Sequence, residues 1–249
     1  MGVLTMNNIE SINLLRTKIP IGIKYASQLL IETDGDIELA ISYFKTRAID
    51  IMINKSSLSP QQALSLLEQY RFEINDALNA YEQQQYSLTE RILKKYQRNK
   101  SSALDTLLIA LIEHHQFKID YWFSEQQLTT LNSYQYAFVL VLDWCNYVEW
   151  EDFYSGLQHH QLPNVIIQIE QTFNYPEFAN KLRRTAARQI ELEQKHLKAK
   201  DIESYIAFNN QILIVDSEMI GGYQYFKTNL PVLQDRIYTF IEKNIDSFP

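Results

Sequence analysis

The chain is expected to be mainly α-helical, with two small tandem three-helix bundles followed by a larger α-helical domain. Three observations carry that expectation. Its 249 residues include only six Gly and six Pro, so few positions break a helix or force a turn. Apolar residues recur at three- and four-residue spacing along most of the sequence, which places them on one helix face. A stretch near the N-terminus also occurs twice. Residues 26–44 (ASQLLIETDGDIELAISYF) align with residues 63–81 (ALSLLEQYRFEINDALNAY) at a shift of 37 positions. Ala26 then meets Ala63, Leu29 Leu66, Leu30 Leu67, Ile37 Ile74, Ala40 Ala77, Ile41 Leu78 and Phe44 Tyr81, and the acid Asp36 meets Glu73. Recurrence at a fixed offset marks one supersecondary unit used twice. The expected boundaries are 1–50, 51–100 and 101–249.

The elements follow in order. Ile9, Ile12, Leu15 and Ile19 lie at helical spacing over residues 8–18, and the helix stops before Pro20 because the residue preceding a proline is pushed out of the α region. Ile21-Gly22-Ile23 makes a short apolar turn. A second helix over 26–33 ends at Asp34-Gly35, where glycine suits the left-handed position after a helix. Asp36 is placed to cap a third helix, accepting one of its orphan N–H groups, with Ile37, Ala40, Ile41 and Phe44 on one face. In the second copy, Ser59-Pro60 reads as a helix start, followed by Leu64, Leu66, Leu67 and Tyr70. Phe72 stands where the first copy has its turn glycine, so this turn is expected to be made differently. A last helix covers 73–82.

Residues 88–99 read as a basic helix or linker. Lys94, Lys95, Arg98 and Lys100 are too few for a convincing nucleic-acid footprint, and Ser101-Ser102 is the expected domain boundary. Beyond it, Leu104, Leu107, Leu108, Leu111 and Ile112 form one stripe, and 126–145 reads as a central buried helix. Segments 148–159 and 163–173 follow, then a long charged helix over 176–200 striped by Phe178, Leu182, Ala186, Ile190 and Leu197. Periodicity leaves 202–215 open between strand and helix end. Gly221-Gly222 is expected to break the chain before a final helix over 230–244, entered through Pro231.

The first copy carries a family resemblance. Leu15-Arg16, Ile21-Gly22-Ile23, residues 24–30, and Asp34-Gly35-Asp36-Ile37-Glu38 leading into Ala40, Ile41 and Phe44 resemble the ubiquitin-associated-like (UBA-like) fold found at the N-terminus of elongation factor Ts. The likeness covers 9–46 and, less closely, 57–83; the factor's β-containing core has no counterpart. It implies compact three-helix bundles that bind a protein partner through the loop after the first helix and the end of the third. Carried onto this sequence, that surface is Pro20, Ile21, Gly22, Ile23, Ile41, Phe44 and Lys45. Ile41 and Phe44 equally fit a bundle core, whereas Ile21 beside Gly22 is the residue expected to stand exposed. The C-terminal part resembles the small acidic all-α family that includes a bacterial DNA-mimic protein, through the helix around 143–154, the Gly156 break and the closing 230–248 segment.

Charge and chemistry narrow the function. Residues 1–104 carry 12 Lys/Arg and 11 Asp/Glu, and residues 105–249 carry 11 and 19. An acidic second half argues against direct nucleic-acid binding, which needs clustered basic residues. No apolar run approaches the roughly 18–20 residues of a membrane span, and MGVLTMNNIE does not read as a secretory signal. A lone cysteine, Cys145, leaves no internal disulfide, so a cytoplasmic location is expected. Asp143, Glu149, Glu151 and Asp152, mixed with Trp144, Tyr147 and Trp150, suit general acid–base chemistry, an acidic-aromatic protein-binding face, or simply a helix with buried rings and solvated acids.

His114-His115 and His159-His160 are adjacent pairs whose members diverge by about 100° on a helix. Glu193 and His196 form one Glu-x-x-His where a di-iron bundle needs two. No phosphate-cradling glycine loop or nucleophile elbow occurs. No metal and no cofactor are expected. The function expected is that of a non-enzymatic cytosolic adaptor or regulator docking a protein partner. An acidic inhibitor, mimicking DNA or neutralising a basic toxin, is the alternative, and an enzyme using the 143–152 carboxylates is the third reading. The oligomeric state is left open.

Overall fold

Helix α1 (Met6–Lys18) ends just before Pro20, α2 (Ile23–Glu32) begins after Gly22, and α3 (Ile37–Lys55) starts at an Asp36 cap whose carboxylate accepts the Leu39 N–H at 3.0 Å. These elements come from a computed structural model that describes residues 6–196 and 202–249, except the side chains of 6–8 and of 205. Among the described residues every regular element is helical. They fall into two units that divide between Ser87 and Leu88.

In the first unit, α4 (Pro60–Gln69) and α5 (Ile74–Gln85) complete the second copy. Ser59 and Gln62 cap α4 reciprocally. The repeat holds at the level of helix ends: a 37-residue shift carries α2 onto α4 and the first residue of α3 onto the first of α5. The same shift carries α1 onto residues 43–55, the last part of α3. Helix α3 is therefore shared. It closes the first bundle with Ala40 and Phe44 and opens the second with Ala48 and Met52, all buried. Leu15 and Met52, which correspond, are both fully buried. One continuous core runs from Ile12 to Ala77, so the expected boundary at 50/51 falls inside a helix, and two separate modules are replaced by two bundles fused through it.

The turn expected to differ does not. Asp34 and Gly35 have φ of 50° and 84°, and Arg71 and Phe72 have 51° and 62°. Gly35 N–H donates to Leu30 O at 2.7 Å and Phe72 N–H to Leu67 O at 2.6 Å; Asp36 N–H donates to Thr33 O and Glu73 N–H to Tyr70 O, both at 2.9 Å. Both copies end their helix with the same left-handed closure, and the missing glycine did not remove it because Phe72 is buried, with Lys45 Nζ 5.0 Å above its ring.

The second unit starts with α6 (Leu88–Lys95), whose Thr89 N–H and hydroxyl both donate to Pro249 O at 2.7 Å. The segment expected as a linker is thus core: Ile92 and Leu93 are buried, and the expected boundary at 100/101 lies within α7 (Lys100–His114). The expected helix over 126–145 resolves into α8 (Glu125–Thr130) and α9 (Ser133–Trp150), separated where Asn132 caps α9. Nearly every residue of α9 from Ala137 to Cys145 is buried, as its continuous apolar run requires.

Short helices α10 (Phe153–Leu157) and α11 (Leu162–Ile167) lead into a π-helical turn, Gln168–Thr172, and then α12 (Pro176–His196). The end of the expected 176–200 helix, including Leu197, lies outside the described residues. After α13 (Ile202–Phe208), Asn209–Leu213 is a second π-helical turn, which settles the open segment in favour of helix. The chain then runs through a single helix, α14 (Ser217–Lys243), so Gly221-Gly222 does not break it and Pro231 lies inside it. Packing against α12 decides this. A Cβ on Gly222 would stand 2.4 Å from Thr185 Oγ1, so glycine permits the close helix approach that outweighs its roughly 1 kcal/mol propensity cost.

Candidate functional site

In the first unit the loop between α1 and α2 is fixed by its own sequence. Ile19 and Ile21 turn inward, Pro20 is half-buried between them, and Arg16 Nε donates to Ile21 O at 3.2 Å. Ile21 and Ile23, on either side of Gly22, have different surroundings. Ile23 is 61% exposed, whereas Ile21 is 9% exposed. Gly22 is exposed in an extended conformation (φ −73°), and an added Cβ there would meet nothing within 4 Å. Phe44 is core, its ring 6.5 Å from that of Tyr25 and tilted 55° to it, and Ile41 is half-buried against that core. Lys45 is exposed and covers the Phe72 ring.

Of the seven residues expected at this surface, Gly22, Ile23 and Lys45 are exposed, Pro20 and Ile41 are intermediate, and Ile21 and Phe44 are interior. The exposed role expected of Ile21 passes to Ile23: Ile21 packs into the bundle core, whereas Ile23 opens α2 with its side chain exposed. Pro20 also lines a groove of about 550 Å³ with Arg16, Lys18, Tyr70, Arg71 and Glu73. That groove joins the α1–α2 loop of the first copy to the left-handed turn of the second, a juxtaposition that only the shared α3 creates.

In the second unit the acidic-aromatic cluster splits in two. Asp143 lies mostly buried and accepts the Phe123 N–H at 3.4 Å; burial pushes its carboxyl up to about 6, and the backbone N–H offsets this only in part. Trp144 is fully buried, with Nε1–H donating to Gly156 O at 2.9 Å. Tyr147 is half-buried, its ring 5.0 Å from Trp122 and 4.7 Å from His159. Burial, and then the charge of His160, hold the His159 imidazole below its usual pKa.

The other three acids, Glu149, Glu151 and Asp152, converge on a groove of about 620 Å³ shared with Tyr154, Tyr223, Phe226 and Lys227. Asp152 also caps α10, accepting the Ser155 N–H at 2.8 Å. Trp150 stands 75% exposed beside them. Sequence reading reached the acids but not the α14 residues, because a contact between segments some 70 positions apart leaves no local pattern. Glu193 and His196 gain no companions: no cluster of three or more metal-ligating side chains occurs among the described residues. Cys145 is buried, and burial raises its thiol far above the usual range. No helix among the described residues is long and apolar enough to cross a membrane.

With the division at Ser87, the first unit holds 7 Lys/Arg and 10 Asp/Glu and the second 16 and 20. The strong acidity of 105–249 is therefore diluted to a net −4 once the basic helix α6 and the start of α7 are counted with the unit they belong to.

The fold and these surfaces define a mainly α-helical chain whose N-terminal unit is a fused repeat and whose C-terminal unit is a larger helical bundle. Residues 87–246 match the family described as the YfbN C-terminal domain, and the chain belongs to that family. The matched span coincides closely with the second structural unit. Over 250 residues the chain is 29% identical to a protein of Escherichia coli (strain K12) described as uncharacterized protein YfbN, covering 98% of this chain and 97% of that protein. No solved structure matches.

Proposed function

We propose that this is a non-enzymatic, cytosolic protein that docks a protein partner through the loop and helix start at Pro20, Gly22 and Ile23, with Ile41 and Lys45 on the neighbouring helix. The observation that carries the reading is the exposure of Ile23 at the head of α2, next to a glycine with open space around it. An exposed aliphatic beside uncovered backbone offers both apolar area and main-chain hydrogen bonds to a partner. The resemblance of residues 9–46 to the UBA-like fold favours the same loop.

The test is a pull-down from native lysate with Ile23→Asp and Gly22→Glu. Both sites are exposed, so both variants should keep the wild-type helical circular dichroism and lose the partner. A partner list unchanged in both variants would remove this surface from consideration. Ile21→Asp is not a usable control, since it buries a carboxylate.

A second reading rests on the groove that holds Glu149, Glu151 and Asp152 beside the exposed Trp150. An acidic inhibitor of a basic protein would use this face, and its binding would weaken steeply with salt. Binding insensitive to salt, or to the triple Gln/Gln/Asn replacement of these acids, would argue against it.

A further inference from the structure

The groove of about 620 Å³ at the end of α9 combines two kinds of wall. Its back is apolar, formed by buried Val148 of α9, Phe153 of α10 and Phe226 of α14. The rings pack on one another: Phe153 lies 5.3 Å from Phe226, 5.7 Å from Tyr223 and 5.9 Å from Tyr154. Tyr154 is half-buried and Tyr223 exposed, so both keep surface open to a ligand. The volume lies within the range of small-molecule sites.

The rest of the lining is charged. Glu149, Glu151 and Asp152 are exposed, and Lys227 of α14 is the cation among them. Asp152 accepts the Ser155 N–H and hydroxyl, both at 2.8 Å, bonds that leave its charge in place. Among the described residues, Glu149, Glu151 and Lys227 make no ion pair and no side-chain hydrogen bond. Three carboxylates against one ammonium leave the lining two negative charges in excess. The acids adjoin the rings: burial first, then Tyr223 and the Asp152 charge, push the Tyr154 phenol up. An anion meets repulsion in this groove, and a neutral apolar ligand leaves its carboxylates unused. A chain with cationic ends uses both walls. Its methylenes cover the apolar back while its ammonium groups meet carboxylates and tyrosine rings.

We propose that this groove binds a short aliphatic diamine, whose two ammonium groups balance the excess charge. The acids are those of the acidic-inhibitor reading, but the occupant here is a small molecule. Trp150, 75% exposed and outside the groove lining, separates the two. Four probes are titrated into the full chain: 1,5-diaminopentane; pentylamine, which stands in for a lysine side chain; 1,5-pentanediol, which is neutral; and magnesium chloride, which carries the charge without the chain. Binding is read from backbone amide chemical shifts of residues 148–154 and 223–230. The diamine should bind saturably and about five-fold more tightly than pentylamine, the worth of one partly exposed ion pair. The diol should not saturate, and magnesium at equal ionic strength should not displace the diamine. Replacing both Glu149 and Glu151 by Gln should weaken diamine binding about ten-fold, and Tyr223→Leu about three-fold. Lys227→Met, which removes the competing ammonium, should tighten it. Trp150→Ala should leave diamine binding unchanged, although it would weaken a protein docked on the face. Equal affinity for diamine and pentylamine in the wild type, displacement by magnesium, no saturable shifts, weaker binding by Lys227→Met, or loss of binding in Trp150→Ala would overturn the proposal.

Discussion

The two turns of the N-terminal repeat adopt one backbone with two different sets of supports. In the first, Gly35 takes the left-handed position at no steric penalty, buried Thr33 places its hydroxyl 2.9 Å from Leu29 O and 3.0 Å from Asp36 O, and Asp36 caps the next helix. In the second, all three supports are gone: Phe72 replaces the glycine, Tyr70 the threonine, and Glu73 makes no side-chain cap. The turn persists because Phe72 is driven into the core and Lys45 lies over its ring. Burying a phenylalanine contributes about 1.5–3 kcal/mol, more than the roughly 1–2 kcal/mol that a left-handed L-residue costs. One copy closes its helix by local chemistry, the other by tertiary packing.

Substitutions can break this comparison or sharpen it. The largest effect should come from Phe72→Ala, which keeps the strain and loses the burial. It should cost about 3–5 kcal/mol in urea unfolding, and a cost below 1 kcal/mol would mean that local hydrogen bonds alone hold the second turn. As a contrast from the unit without a repeat, Asp143→Asn should stabilise by about 3 kcal/mol at pH 7, the equivalent of lifting a carboxyl from about 4 to about 6. The sign follows from the raised folded pKa. The penalty is absent below about pH 4, grows as pH rises toward about 6, and is constant above it. The advantage of the variant over wild type should therefore vanish in acid, and a constant difference from pH 4 to 7 would contradict the buried carboxyl.

Gly35→Ala comes next. Open space surrounds the added Cβ, so the cost of about 1–2 kcal/mol is purely conformational at φ 84°. Asp36→Ala should cost about 1 kcal/mol through the lost cap, whereas Glu73→Ala should change stability by less than about 0.5 kcal/mol. The last effect is a gain: Glu73→Asp should install the missing cap and stabilise by up to about 1 kcal/mol. Equal responses to alanine at Asp36 and Glu73 would erase the distinction between the copies.

Much of this architecture was legible. The 37-residue offset predicted helix ends that coincide in the structure, because caps, prolines and apolar spacing act over a few residues. Asp36 and Ser59 sit where short-range rules put caps, whereas Asn132, which caps α9, lay inside a segment read as one helix. What was illegible depended on distant contacts. The sharing of α3 could not be read from a repeat whose aligned window begins at Ala26, since the α1 equivalent at 43–55 keeps only two identities, Ile12 with Ile49 and Lys18 with Lys55, besides the burial of Leu15 and Met52. Gly221, Gly222 and Pro231 carried a local signal to stop, which packing of α12 on α14 overrode. At the candidate surfaces, the Pro20–Ile23 loop was found but the burial of Ile21 was not. The acids at 149–152 were found, but Asp143, six residues earlier, points to a different environment.

The sequence by itself determined the helical class, the repeat and its offset, the capped starts of α3 and α4 and the absence of a long apolar span, all consequences of interactions within one or two turns of chain. Tertiary structure alone decided that the bundles are fused, that the basic segment joins the acidic unit, and that Phe72 makes a glycine's turn. Each of those depends on which surfaces meet, and burial free energy is set by the partner across the interface rather than by neighbours along the chain.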